Sequence, residues 1–218
     1  MSTVDLVALG SQTAKNGFAN EGFVRDEFNS WRTSKLAQEW LVEMGYNLQK
    51  IEFVRAEKIG GSYKTDVQVV VRIKLKNILD TQNLQVKLVS NKENGFNQID
   101  KHWVDQYVKM WSIPDDVADT LKYYTGEKLP YRGGTRDSRR MFLDEMTDRQ
   151  RFRLLTFLRE KKILIITDII KGRGKLCAEW VLVILRDGLM IEWCLKPINV
   201  AMDYYGGGDV ELTSRGNV

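Results

Sequence analysis

The sequence has few of the residues on which several common kinds of site depend. Its 218 residues include two cysteines, one histidine and three prolines. A structural zinc site is normally built wholly from Cys and His ligands, and Cys177, Cys194 and His102 are too few for one. A Ser-His-Asp or Cys-His triad would have to use His102, and no nucleophile motif surrounds that residue. The scarcity of proline excludes long proline-rich linkers.

Long apolar runs are also missing. No run approaches the ~20 residues of a membrane-spanning helix, and the N-terminus lacks a signal-peptide pattern. We therefore expect a cytoplasmic protein with reduced cysteines and no membrane partner. The net charge is +4, and this mildly basic balance permits an anionic partner without requiring one.

The pattern of apolar residues predicts a single mixed α/β domain. A hydrophobic content of 43% over 218 residues is enough for a sizeable core. Helical and strand-like segments alternate along the chain, which predicts a central mixed β-sheet flanked by helices. The predicted domain covers residues 1–218, with helices at 4–45, strands at 51–92, helices and loops at 93–161, and strands at 162–218.

Local signals predict several boundaries and connections. Ser34 and Gly45 are typical of the N-cap and C-cap of a helix, and Thr147 or Asp148 of the start of a later one. Asp187-Gly188 predicts a two-residue hairpin.

Apolar spacing predicts further elements. Residues 66–74 and 84–89 alternate as strands joined by a long hairpin. The apolar run 163–166 predicts a buried strand, and the helix that ends near Lys161 is predicted to bury Phe152, Leu155 and Leu158.

Polar residues on two predicted strands could build a metal site. Asp66 supplies a carboxylate oxygen, Gln85 an amide oxygen and the backbone of Val86 a carbonyl oxygen, all ligand types that Mg²⁺ accepts. Lys87 would lie beside an attacking water and favour its deprotonation near the metal. Phosphodiester hydrolysis needs these parts. Judged from their spacing alone, Asp66, Gln85 and Lys87 are more often solvated residues on exposed strand faces than parts of a metal site.

Longer stretches resemble a known family. Thr65-Asp66 and Gln85-Val86-Lys87 resemble a variant of the PD-(D/E)XK nuclease motif. Nearly the whole chain also resembles the type II restriction endonucleases that cleave GCGC, the HinP-type enzymes. The similar stretches are residues 10–15, 85–92, 95–103, 139–142, 172–174 and 178–183.

The resemblance implies a restriction-endonuclease-like core and Mg²⁺-dependent cleavage of double-stranded DNA, with Mn²⁺ able to substitute. It assigns Asp66, Gln85 and Lys87 to the catalytic positions. It further implies a prokaryotic cytoplasm and a DNA methyltransferase that protects host sites. Because both strands must be cut, it implies either a homodimer or sequential nicking by a monomer.

The sequence departs from the superfamily motif at the metal site. Thr65 replaces a proline, and Gln85 replaces the usual acid, so weaker metal binding is expected. Glu21 is the candidate helix carboxylate that would compensate as a metal ligand, and a solvated helix residue is the alternative. Similar enzymes continue past the position of Val218 with a basic, strand-like segment. The possibility that the C-terminus is truncated here therefore stays open.

The loop that contains Phe96, Asn97 and Gln98 is the candidate for reading DNA bases. The two amides can donate to and accept from base edges. The ring of Phe96 can wedge between base steps, and the alternative is that this ring packs into the core.

Basic residues are candidate phosphate contacts. Lys92 and Lys101 flank the base-reading loop, and Arg173 lies between two glycines that leave its side chain unobstructed. A further basic cluster contains Arg132, Arg136, Arg139 and Arg140.

Two other classes of protein fit the same sequence. A catalytically inactive DNA-binding relative would account for the neutral Gln85. A repair or nicking nuclease could share the fold and differ in the DNA that it cuts. DNA binding is common to all three classes. Cleavage of a plasmid separates the inactive relative from the other two, and the position of the cuts separates a restriction enzyme from a repair or nicking nuclease.

Overall fold

The computed structural model describes residues 21–59, 68–89, 103–174, 176–187, 190–210 and 212. They form two compact units: the first contains those before residue 98 together with Ile170–Met202, and the second contains those of 98–169 together with those after Met202. The predicted single domain remains a prediction, and each unit is described separately. Within these ranges, no helix is long and apolar enough to cross a membrane.

The first unit is built on a mixed sheet of five strands. They lie in the order β1-β2-β3-β4-β5. The pair β3–β4 is parallel, and the other neighbouring pairs are antiparallel. This confirms the predicted mixed sheet. The strands are β1 (Ile51–Ile59), β2 (Gln68–Leu75), β3 (Ile78–Val89), β4 (Trp180–Asp187) and β5 (Met190–Pro197).

The connection between β2 and β3 is much shorter than predicted. Leu75 pairs with Ile78, so only Lys76 and Asn77 form the turn, with φ of 37° at Lys76. The long hairpin was therefore a wrong prediction. The first half of β3 pairs with β2 alone, since β4 joins it only from Leu84 onward. This half is largely exposed and polar, and its sequence lacks the apolar alternation that marks a strand.

One face of the sheet packs against two helices, α1 at residues 21–29 and α2 at Lys35–Glu43. Leu84 and Val86 of β3 share a buried cluster with Phe28 and Trp40 of these helices. Further members from the sheet are Val54, Ala56, Ile73, Leu182, Ile184 and Leu195.

The predicted N-cap of α2 is confirmed, whereas its C-cap is Met44 and not the predicted Gly45. Ser34 is the N-cap, and its Oγ accepts a hydrogen bond from the backbone N–H of Ala37 at 3.0 Å. Gly45 directly follows the C-cap Met44 with φ of +87°, a left-handed conformation in which a Cβ would be strained. A one-turn 3₁₀ helix, Leu48–Lys50, leads into β1.

The second unit is helical. Its helices pack around a cluster that includes Val104, Trp111, Leu121, Leu154 and Phe157. The elements are α3 (Val104–Trp111), α4 (Asp115–Thr125), the 3₁₀ helix Leu143–Glu145, α5 (Asp148–Glu160) and α6 (Lys162–Ile166); the π-helical turn Thr167–Lys171 and α7 (Ile198–Gly207) run across the unit boundary.

Two predictions for the second unit are corrected, and one is confirmed. Thr147 is the N-cap of α5, as predicted. Phe152, predicted to be buried, is 69% exposed, and Leu154 takes the core position instead. Residues 163–166 form a helix, not a strand: Ile165 N–H donates to Lys161 C=O at 2.9 Å, and Ile163 is 60% exposed. Short apolar runs fit helix and strand alike.

Substitution of the α2 cap tests this local account. Ser34→Ala removes the acceptor for Ala37 N–H and should lower the free energy of unfolding by about 1 kcal/mol. Ser30→Ala, at an exposed position in the preceding turn, is the matched control and should change stability little. Urea unfolding of the three proteins measures the difference, and equal stabilities for Ser34→Ala and wild type would contradict the cap.

Candidate functional site

A line of polar side chains runs along β3 on the face opposite the helix-covered core. Side chains alternate along a strand, and Leu84 and Val86 belong to that core. Asn83, Gln85 and Lys87 therefore point to the other face. Gln85 is 5% exposed and Lys87 is 9% exposed. The alternative of solvated strand residues is thus excluded for both side chains.

Burial of this pair needs a physical reason. Lysine is almost never fully buried in proteins unless it is paired, and burying polar groups costs free energy that must be offset by specific interactions. Functional sites are one setting in which such burial is offset. The burial of Gln85 and Lys87 on the central strand therefore fits the predicted site.

The backbone of β3 directs the Val86 carbonyl towards β2. Asn83 N–H donates to Glu179 Oε2 at 2.9 Å, and Asn83 C=O accepts from Glu179 N–H at 2.8 Å. The backbone of Asn83 thus faces the β4 side, and that of Val86 faces the β2 side by alternation. Within the described residues, the last pair between β2 and β3 is Gln68 with Gln85. Asp66 precedes Gln68 by two positions in the sequence and lies outside the described residues.

The donor types on β3 suit a hard divalent cation. The amide oxygen of Gln85 and the carbonyl oxygen of Val86 are neutral oxygen ligands, which Mg²⁺ accepts together with one or two carboxylates. Across the ranges that the structure describes, no group of three or more His, Cys, Asp or Glu side chains is assembled for a metal. Asp66 is outside those ranges, and its role as the carboxylate ligand stays a prediction.

Glu21, the other predicted ligand, has a defined ion pair. It begins the described part of α1 and is 6% exposed, so it is not a solvated helix residue. Its Oε2 lies 3.2 Å from Lys58 Nζ. Lys58 alternates with Ala56 onto the helix-covered face of β1. Metal binding by Glu21 stays a prediction, and the structure shows Glu21 joining α1 to β1.

Most predicted DNA contacts lie outside the described residues: Phe96, Asn97, Gln98, Lys101 and Lys92. Arg173 is described and is exposed. Its neighbours Gly172 and Gly174 have φ of +78° and +84°, a conformation that glycine adopts readily. The glycine turn predicted around Arg173 is therefore present.

The other basic cluster is largely neutralised within its own loop. Asp137 accepts from Arg139 Nε and from Arg140 Nε, each at 3.2 Å. Hydrogen bonds from the side chain and the backbone of Arg139 lower the pKa of the Asp137 carboxyl to about 2. Further contacts join Arg136 to Asp144 and Glu145, and Arg132 to the backbone of Glu145. These contacts favour loop rigidity over phosphate binding.

Sequence reasoning did not find the polar anchors between β3 and its neighbours. Trp180 Nε1 donates to Gln82 Oε1 at 2.7 Å, and the Tyr46 hydroxyl donates to Asp80. Burial raises the pKa of Tyr46, and the hydrogen bond to Asp80 adds to that rise. These partners are far apart in sequence, and no local pattern marks them.

The mixed sheet and the buried Gln85–Lys87 pair fit the core of a metal-dependent nuclease. Residues 44–218 match the family model described as R.HinP1I restriction endonuclease. The chain therefore belongs to this family of restriction endonucleases, and the predicted resemblance is confirmed. None of the curated proteins matches the chain. Membership implies a nuclease with a DNA substrate. The match includes the positions of Asp66, Gln85 and Lys87, whereas Glu21 precedes it.

The arginine loop gives a pH-dependent prediction. A lowered carboxyl pKa stabilises the fold above the unfolded pKa near 4, and this contribution is lost as the pH falls towards about 2. Asp137→Asn should therefore lose about 1 kcal/mol at pH 7, after allowance for solvent screening. The thermal unfolding temperatures of variant and wild type should draw together as the pH falls below about 4 and converge near pH 2.

Asp203→Asn is the control, because Asp203 is an exposed carboxylate in the middle of α7, away from either helix end. It should match wild type throughout. A stability difference between Asp137→Asn and wild type that does not narrow with falling pH would contradict the role of the charged carboxylate.

Proposed function

We propose that this chain is a type II site-specific endonuclease that hydrolyses double-stranded DNA with Mg²⁺ at GCGC. The observation that supports this most directly is the burial of Gln85 and Lys87 side by side on β3, in a chain of the restriction endonuclease family. The GCGC target rests on the resemblance to the HinP-type enzymes. Mn²⁺ is proposed to substitute for Mg²⁺.

The proposed ligand set contains Asp66, Gln85 and the carbonyl of Val86, with Glu21 as a further candidate. Bound there, Mg²⁺ would supply Lewis acidity and a bound water of lowered pKa. Gln85 is neutral where the superfamily has a carboxylate. The site therefore has less negative charge, and its affinity for the cation should be lower than that of an acidic site.

Lys87 is proposed to orient the attacking water and to stabilise negative charge at the reacting phosphate. A cation in a water-poor setting acts more strongly than one in bulk solvent. The water oxygen forms a new bond to phosphorus, the bond from phosphorus to the 3′-oxygen breaks, and the leaving oxygen takes up a proton. The products are a 5′-phosphate and a 3′-hydroxyl.

DNA contacts are proposed on the loop with Phe96, Asn97 and Gln98, and at the cations Lys92, Lys101 and Arg173. Amides on that loop would read base edges, and the cations would bind phosphates. The exposure of Arg173 on its glycine turn supports the last of these contacts.

Further partners follow from restriction activity. A DNA methyltransferase would protect host sites in a prokaryotic cytoplasm. Cutting of both strands requires a homodimer or sequential nicking by a monomer. An inactive DNA-binding relative and a repair or nicking nuclease are the competing functions, and the buried Lys87 favours catalysis over the first of these.

Removal of the Lys87 ammonium tests the assignment. Lys87→Ala should lower the rate of plasmid cleavage in Mg²⁺ by at least about 100-fold, the usual effect of losing a group that stabilises transition-state charge. Binding of a GCGC duplex in metal-free buffer should change little. Lys74→Ala, which removes a lysine of β2 whose Nζ donates to Lys76 C=O near the turn, is the control. Cleavage by Lys87→Ala at the wild-type rate would rule out the proposed mechanism.

The neutral ligand gives a separate prediction. Gln85→Glu adds a carboxylate at the proposed site and should lower the Mg²⁺ concentration for half-maximal cleavage several-fold. Gln49→Glu, at an exposed position before β1, adds the same charge elsewhere and should leave that concentration unchanged. Titration of Mg²⁺ in a cleavage assay measures both, and equal midpoints for Gln85→Glu and wild type would show that Gln85 is not near the cation.

A further inference from the structure

Asn83 is a polar residue on the Gln85–Lys87 face that neither the motif nor the proposed mechanism uses. Its side chain precedes that of Gln85 by two positions on β3, so both point to the same face. The Oδ1 atom of Asn83 is buried and has no hydrogen-bond partner among the described residues. A buried acceptor without a donor destabilises the fold, and such atoms in native proteins usually serve a function or bind an ion or water.

The backbone of Asn83 is held on the β4 side by two hydrogen bonds. Both of its polar groups bond to Glu179, the N–H to Oε2 at 2.9 Å and the C=O to the N–H at 2.8 Å. Glu179 immediately precedes β4, whose pairing with β3 begins at Leu84–Trp180. The position of Asn83 relative to Gln85 is therefore set by the sheet itself.

The spacing between the two amides favours an indirect contact with a cation. Two residues along a strand span roughly 7 Å, whereas Mg²⁺ binds its ligands at about 2.1 Å and keeps several of its waters. Those waters donate hydrogen bonds, and each needs an acceptor. The amide oxygen of Asn83 is an acceptor that lies close to Gln85 and has no donor in the described part of the protein.

We propose that Asn83 is a positioning residue of the metal site, whose Oδ1 accepts a hydrogen bond from a water bound to the divalent cation. This inference rests on the proposed function, because it takes Gln85 as a ligand. Asn83 orients the hydration shell and thereby raises the affinity of the neutral Gln85 site for the cation. Outer contacts of this kind typically change metal affinity by about 10- to 100-fold.

The test measures metal binding without DNA and without turnover. Mg²⁺ is titrated into the full chain, and the rise in thermal unfolding temperature gives the binding midpoint, because a cation that binds the folded state stabilises it by mass action. Asn83→Leu keeps the size and removes the acceptor, and its midpoint should rise about 10-fold. Asn83→Asp supplies a charged acceptor and should bind Mg²⁺ at least as tightly as wild type.

Thr81→Val is the matched control, since Thr81 lies on the same strand and face, two residues further from Gln85, and is exposed. Its Mg²⁺ binding midpoint should equal that of wild type.

If Asn83→Leu does not fold, Asn83→Asp alone decides between the outcomes. A Mg²⁺ binding midpoint of Asn83→Asp above that of wild type overturns the inference. If both Asn83 variants have the same Mg²⁺ binding midpoint as wild type, and wild type cuts DNA, the inference is overturned and the proposed function still stands. A wild-type chain that neither binds Mg²⁺ nor cuts DNA overturns both.

Discussion

The alternation of side chains on β3 places the apolar core on one face of the sheet and the candidate site on the other. On one face, Leu84 and Val86 enter the core beneath the first two helices; on the other, Gln85 and Lys87 are buried as a polar pair. Pairing to β2 on one side and to β4 on the other fixes the register. A slip of one residue would place Lys87 in the apolar core and Leu84 and Val86 on the polar face. Stability and the candidate chemistry thus impose the same register.

This arrangement connects the core to the function of the family. Because β3 lies in the middle of the sheet, its polar groups are shielded from bulk water on a rigid element, and sites on strands are more precise than sites on loops. Shielding strengthens the field of Lys87. Under the proposed ligand assignment, the same rigidity would let fixed backbone and amide oxygens hold a cation with less negative charge, because their geometry is set in advance.

Features with a local cause could be predicted from the sequence. Ser34 and Thr147 cap helices because their hydroxyl groups bond to nearby backbone amides, and the mixed sheet follows from the spacing of apolar residues. The polar first half of β3 and the α6 helix at Lys162–Ile166 were missed, since neither has a distinctive period. The buried acceptor of Asn83 and the ion pair of Glu21 with Lys58 depend on residues distant in sequence. The family motif identified Gln85 and Lys87, and burial gave those positions physical support.

The proposed site-specific cleavage of DNA can be tested by mapping the ends of the cut fragments. A plasmid of known sequence is incubated with the chain and Mg²⁺, and the fragment ends are sequenced. We expect discrete fragments whose ends all fall at GCGC and carry 5′-phosphates. Intact plasmid, or ends that follow lesions or DNA structure instead of GCGC, would contradict it.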